Sequence, residues 1–189
     1  MVADRIRFGL AAVKNVGGSA LDSIMEVRGK DGPFCSLTDF CSRVDLRRVN
    51  RRVIESLIKA GAFDSFGTRR SQLFAALDQA LDQAQSIQKE KMSGQMSLFS
   101  IMPAEVKTKN QSIPLPDIEE WPEKMRLAFE KETVGFYLTG HPLNDFKKEI
   151  AMVADVDLSG LAEWPDNHPV RVGGLVRTCK EHKLSLIHI

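Results

Sequence analysis

Two stretches of this 189-residue chain, fifty positions apart, share one spacing. Val13-Lys14-Asn15-Val16-Gly17-Gly18-Ser19-Ala20-Leu21-Asp22-Ser23-Ile24 and Phe63-Asp64-Ser65-Phe66-Gly67-Thr68-Arg69-Arg70-Ser71-Gln72-Leu73-Phe74 each put an apolar residue first and another three positions on. A glycine follows directly, and a large apolar residue stands at the twelfth position. Glycine permits a backbone bend that side chains oppose, so a glycine between two apolar-patterned segments makes the chain turn tightly and start a new element. A fold that satisfies both stretches uses the same helical turn twice.

The segments around the turns are helical in period. Apolar residues run from Ile6 to Val13 and resume at Leu21, Ile24, Met25 and Val27, which reads as helix, turn, helix. Gly29 to Pro33 reads as a loop, and Ser36 is placed to cap a short helix. Val49, Val53, Ile54, Leu57 and Ile58 form a stripe closed by Gly61, and a further helix opens at Thr68 with Leu73, Phe74, Leu77 and Leu81 on its inner face. Residues 1–88 are thus expected to be an all-helical bundle. The polar stretch 89–118, with Gly94, Pro103, Pro114 and Pro116, reads as a linker. Trp121-Pro122 starts a helix through Leu127, Phe129, Val134 and Leu138 to a stop at Gly140-His141-Pro142, so 119–150 are connecting helices. Val170 to Val176 alternates around Gly173-Gly174 like a bent strand, and a single strand buries nothing alone. Residues 151–189 therefore read as the incomplete opening of a β domain, and Leu184 to Ile189 as a truncated or misread end.

Net charge is +1, unevenly spread: residues 1–70 hold 13 Lys/Arg against 8 Asp/Glu, and residues 71–135 hold 7 against 10. Arg43, Arg47, Arg48, Arg51 and Arg52 concentrate the positive charge, and on one helix Arg47/Arg51 and Arg48/Arg52 stack into a cationic ridge. No apolar run reaches the roughly 20 residues of a spanning helix, so no membrane partner is expected. Three scattered cysteines, Cys35, Cys41 and Cys179, suit a reducing compartment such as the cytoplasm and neither a disulfide framework nor a zinc site. No carboxylate pair has the setting of a metal site, so no catalytic or metal-ligating residue is assigned.

The repeated turn aims the N–H groups at the start of the next helix outward, where they and the positive end of the helix dipole suit one backbone phosphate. Lys14 beside the first turn and Arg69 and Arg70 beside the second supply charge. This pattern resembles the tandem helix-hairpin-helix, a sequence-independent DNA-backbone motif, with Asn15 and Ser65 where that motif has its first glycine. The resemblance implies duplex DNA contact at Lys14, Asn15, Gly17, Gly18, Ser19, Gly67, Thr68, Arg69 and Arg70, with Arg47, Arg48, Arg51 and Arg52 alongside. Two αα-corners that only pack a bundle would show the same spacing. Within the polar stretch, Gln95-Met96-Ser97-Leu98-Phe99 carries apolar side chains on a segment with no core of its own, which suggests a docking peptide. It looks like the bacterial sliding-clamp-binding motif Gln-x-x-Leu-Phe; a local contact pinning the linker is the alternative.

Taken in order, the stretches Gly9 to Gly17, Asp31 to Phe34, Asn50 to Asp64, Ser93 to Gln95 and Gly135 to Leu143 resemble the alpha subunits of bacterial DNA polymerase III over residues from about 5 to 180. The resemblance implies a mainly α fold: a helical bundle with a tandem helix-hairpin-helix, then a linker, then the start of an OB-type domain whose first strand is Val170 to Val176. It implies a part of a nucleotidyltransferase that holds duplex DNA, docks on the sliding clamp and meets other holoenzyme subunits. The palm aspartates that hold two Mg²⁺ in such enzymes would lie upstream of Met1, so this segment is expected to be inactive alone, with no cofactor of its own. A stand-alone helix-hairpin-helix repair module and a protein-interaction bundle are the alternatives.

Overall fold

The computed structural model describes residues 9–93, 113–156, 158–176 and 178–181. They divide into two compact units between Leu138 and Thr139.

In the first unit a 3-10 turn, Leu10–Ala12, leads into α1 (Gly18–Asp31). Next come α2 (Leu37–Arg43) and α3 (Arg51–Lys59), then a 3-10 turn at Asp64–Phe66. The long α4 (Arg70–Ser93) and α5 (Glu123–Thr133) complete the unit. α4 lies along α2 and α3, and α5 packs on α3. The expected Ser36 cap forms: its hydroxyl accepts the Asp39 N–H at 3.1 Å. The stripe of α3 is fully buried, with Ile54 and Ile58 at 0% exposure, each apolar side chain contributing about 1.5–3 kcal/mol on leaving water. Phe40 sits between Phe34 and Phe63, both with ring centroids at 4.9 Å and edge-to-face, and joins the α2 side of the core to the turn before α4.

The helices start and stop differently from the sequence expectation in three places. α3 begins at Arg51, because the Asn50 side chain accepts the Val53 N–H at 3.1 Å and ends the preceding turn. α4 does not fade into a linker at residue 88; it continues to Ser93, with Gln88 donating to the Val44 carbonyl at 3.1 Å. α5 is capped by Pro122 and closes at Thr133, where Gly135 turns the chain at φ +85°, short of Leu138.

The division between Leu138 and Thr139 falls inside the 119–150 segment expected to hold connecting helices. The cause is visible in the packing of the segment that follows residue 112. Ile113, Leu115 and Trp121 pack on the helical core, and Trp121 stands between Phe74 (5.6 Å) and Phe129 (4.7 Å). Residues 113–138 therefore form a strap that closes the first unit.

The second unit holds a 3-10 turn, Pro142–Phe146, the short helix α6 (Lys147–Val153) and a 3-10 stretch, Leu158–Glu163. His141 is a cap, its Nδ1 accepting the Leu143 N–H at 3.2 Å. Asp155 and Arg171 meet through a 2.8 Å ion pair and a 2.9 Å backbone hydrogen bond. Between Val170 and Val176 no strand forms among the described residues, and Val172, Leu175 and Val176 are exposed. The alternation signals a strand, but a strand needs a ladder of bonds to a neighbouring strand, and no such strand is present among the described residues.

Cys41 is buried and its thiol is pushed up to about 12 by desolvation, which makes it an inert packing residue. Among the described residues no helix is long and apolar enough to cross a membrane.

Candidate nucleic-acid interface

At the first turn the left-handed residue is Asn15, at φ +70°, whereas Gly17 is extended at φ −83°. Asparagine enters this region more readily than most side chains, which explains its place in the turn. Its amide Nδ2 donates to the Ser56 hydroxyl at 2.9 Å, and the Lys14 N–H donates to the Thr133 carbonyl at 2.7 Å. The turn is thus held on one side by α3 and on the other by the end of α5. Beyond it, the Gly17 carbonyl accepts the Ala20 and Leu21 N–H groups, both at 3.1 Å. The N–H groups of Gly17, Gly18 and Ser19 have no hydrogen-bond partner among the described residues, and all three residues are exposed. A Cβ at Gly17 or Gly18 would meet nothing within 4 Å, so internal crowding does not require glycine there. The Lys14 side chain, exposed beside these donors, makes no ion pair among the described residues. Bare N–H groups at the positive end of α1, with a lysine next to them, are groups whose chemistry suits an anionic oxygen cluster.

The second turn has another backbone and another fate. Its left-handed residue is Gly67, at φ +69°, while Ser65 lies inside a 3-10 turn. The donors at the head of α4 are already taken: the Glu120 carboxylate accepts the Arg70 N–H at 2.7 Å and the Ser71 N–H at 3.1 Å, and the Gln72 side chain accepts the Arg69 N–H at 3.2 Å. Arg69 turns to the strap, donating to the Ile118 carbonyl at 2.7 Å. Arg70 is 4% exposed, with its guanidinium on Glu130 at 2.9 Å and Asp64 at 2.6 Å. Arg70 is a core residue here and is not open to a phosphate. Thr68 is half-buried.

Burial alone would raise the Glu120 carboxyl, but N–H bonds from Trp121, Arg70 and Ser71 hold it below the ordinary 4.5. A carboxylate lowered on folding adds stability that is present above its unfolded value and is lost as pH falls through its folded value. Glu120→Gln is therefore expected to unfold at a lower temperature than the parent at pH 7. The gap should close as the pH falls below 4.5, in thermal melts followed by circular dichroism. A gap independent of pH would show that the carboxylate charge is not what holds the strap.

The basic run does not stack into one ridge, because Arg47 and Arg48 lie in the turn before α3 and not on it. Arg43 is a staple: it donates to the Gly32 carbonyl at 2.9 Å, pairs with Asp39 at 2.9 Å and covers the Phe34 ring. Arg48 faces Asp45 at 3.6 Å, and Arg51 is held by Glu55 at 2.7 Å and by Asp78. Arg47 and Arg52 are exposed and make no ion pair among the described residues. Arg52 stands one helical turn before Ser56, which touches the first turn.

Of the residues expected to face DNA, the structure brings together Lys14, Asn15, Gly17, Gly18 and Ser19 in one exposed patch, with Arg52 on the helix that braces it. Gln95, Met96, Ser97, Leu98 and Phe99 lie outside the described residues. Sequence reasoning missed Ser56 and Glu120. Ser56 left a trace, a buried hydroxyl between Val53-Ile54 and Leu57-Ile58 in the apolar stripe; Glu120 left none, since nothing local ties it to α4.

A family profile described as "Helix-hairpin-helix motif" matches residues 1–73, so the mainly helical first unit carries that motif. The chain is similar to the DNA polymerase III subunit alpha of Vibrio cholerae, 40% identical over 174 residues, covering 90% of this chain and 15% of the relative. It is likewise similar to that of Mycobacterium tuberculosis (37% over 179 residues, 93% and 15%) and of Escherichia coli strain K12 (38% over 171 residues, 90% and 14%). The chain thus spans about one seventh of the length of the curated relatives it matches.

Proposed function

We propose that this chain is a segment of a bacterial replicative DNA polymerase alpha subunit, a DNA-directed nucleotidyltransferase of the cytoplasm, and that it binds and tethers rather than catalyses. The carrying observation is the first turn, where the exposed donors of Gly17 to Ser19 stand beside Lys14. Such a site grips a phosphate through backbone N–H groups and reads no base, which suits an enzyme that must hold whatever sequence it has just copied. Arg47 and Arg52 add charge to the same footprint on duplex DNA, and the second turn packs the bundle. Similarity over nine-tenths of the chain to polymerase alpha subunits supports the replicative setting and contacts with other holoenzyme subunits.

Gln95 to Phe99 dock on the sliding clamp in this reading, with Leu98 and Phe99 in an apolar pocket and Gln95 at its rim. A tether of this kind raises the local concentration of polymerase at the primer end without new chemistry. Residues 151–189 belong to the opening of an OB-type domain on the same reading.

The test measures fluorescence anisotropy on a duplex across a salt series. Affinity is expected to fall steeply with salt, and Lys14→Ala to flatten the log–log slope by about one. Leu98→Ala with Phe99→Ala should abolish binding to purified clamp and leave duplex binding intact. A salt-insensitive affinity would remove the DNA assignment, and unchanged clamp affinity would remove the docking assignment.

A further inference from the structure

We infer that Ser56 is a positioning residue for DNA binding: its hydroxyl holds Asn15 in the left-handed conformation that presents the first turn to a phosphate. The inference rests on the proposed contact at Gly17 to Ser19 and names the buried group that sets it. An asparagine at φ +70° is tolerated, not preferred, and a residue so placed persists where its surroundings over-determine it. Here they do. The backbone one residue earlier is fixed by the Lys14 N–H on the Thr133 carbonyl at 2.7 Å, and the Asn15 side chain is fixed by Ser56 at 2.9 Å.

Ser56 is 4% exposed, and its Oγ faces Asn15 from the middle of an otherwise apolar stripe. A hydroxyl at such a position costs free energy unless it is partnered, and its partner is the turn itself. Glycine at position 15 would enter the same conformation with no tether, because it lacks the Cβ that opposes it. The Asn15–Ser56 pair is thus the chain's substitute for a glycine, and the two positions are one functional unit. Removing the hydroxyl leaves the Asn15 amide without its acceptor and lets the turn relax toward negative φ. Such a shift would re-aim the Gly17 to Ser19 donors.

A double-mutant cycle read in duplex affinity tests this on the full chain: parent, Ser56→Ala, Asn15→Gly, and both together. Ser56→Ala is expected to weaken binding roughly fivefold at low salt while retaining the parent's helical circular dichroism. In the Asn15→Gly background, with that variant's own affinity as the reference, Ser56→Ala should have no further effect. Independent, additive losses in the cycle would overturn the inference. So would a Ser56→Ala loss no larger than its unfolded fraction explains, as measured by urea titration of the same samples. Parent protein that fails to bind duplex at low salt would sink the DNA reading and this inference with it. Binding by the parent with an additive cycle sinks this inference alone.

Discussion

Arg70→Ala is expected to destabilise the first unit by about 3–5 kcal/mol, enough to leave a domain of ordinary stability near its unfolding midpoint. The guanidinium is 5% exposed and Glu130, its 2.9 Å partner, is 0% exposed, so removing the cation strands a carboxylate in the core. Glu130 also accepts the Leu138 N–H at 2.7 Å through its other oxygen, so the same change loosens the exit of the chain from α5. The Asp64 pair adds less, since that carboxylate is half exposed. Urea unfolding followed by circular dichroism measures the effect. An arginine reserved for DNA would show the opposite: unchanged unfolding and weakened duplex binding. Arg70→Met separates charge from volume, because a stem of similar length keeps the packing and loses only the pairing.

Gly61→Ala is expected to cost about 3 kcal/mol or more, a loss rare for adding a single methyl group. Gly61 stands at φ +78°, where a side chain alone costs about 1–2 kcal/mol. An added Cβ would run into Arg70 Nη2 and lie 2.6 Å from its Cζ and 2.7 Å from Asp64 Oδ2. The guanidinium cannot swing aside without leaving Glu130, so the strain is passed to the buried ion pair. Gly67→Ala is the matched control: its φ is +69°, but the space around its Cβ is open. Only the conformational term, about 1–2 kcal/mol, should appear there. Equal losses for the two variants would show that the Arg70 cluster yields easily and that its rigidity has been overstated.

These contrasts explain what the sequence could and could not reveal. Periodicity and caps are local, so the buried stripe from Val53 to Ile58, the Ser36 cap and the helical character of the first unit were all legible. The repeat of turns was legible as spacing, yet the two turns differ because the partners of their N–H groups lie far along the chain. Glu120 is fifty residues from the donors it fills, and Glu130 is sixty from the arginine it neutralises. An arginine count along Arg43 to Arg52 registers charge but not its compensation. Carboxylates on α2, α3 and α4 and in the turn before α3 account for most of that charge, and the exposed remainder is small. Val170 to Val176 shows the same limit, since alternation declares a preference that only a neighbouring strand can satisfy.

The bond from the Lys14 N–H to the Thr133 carbonyl bears on the order in which the molecule can be finished. Lys14 leaves the ribosome before Thr133, so the first turn is held by this contact only once the chain has been made through α5. Local helices form in about a microsecond, but a contact between the two ends of a unit waits on closure of the whole intervening loop. Within this unit the first turn is therefore completed last, and a nascent chain arrested before α5 would carry that turn without one of its two braces.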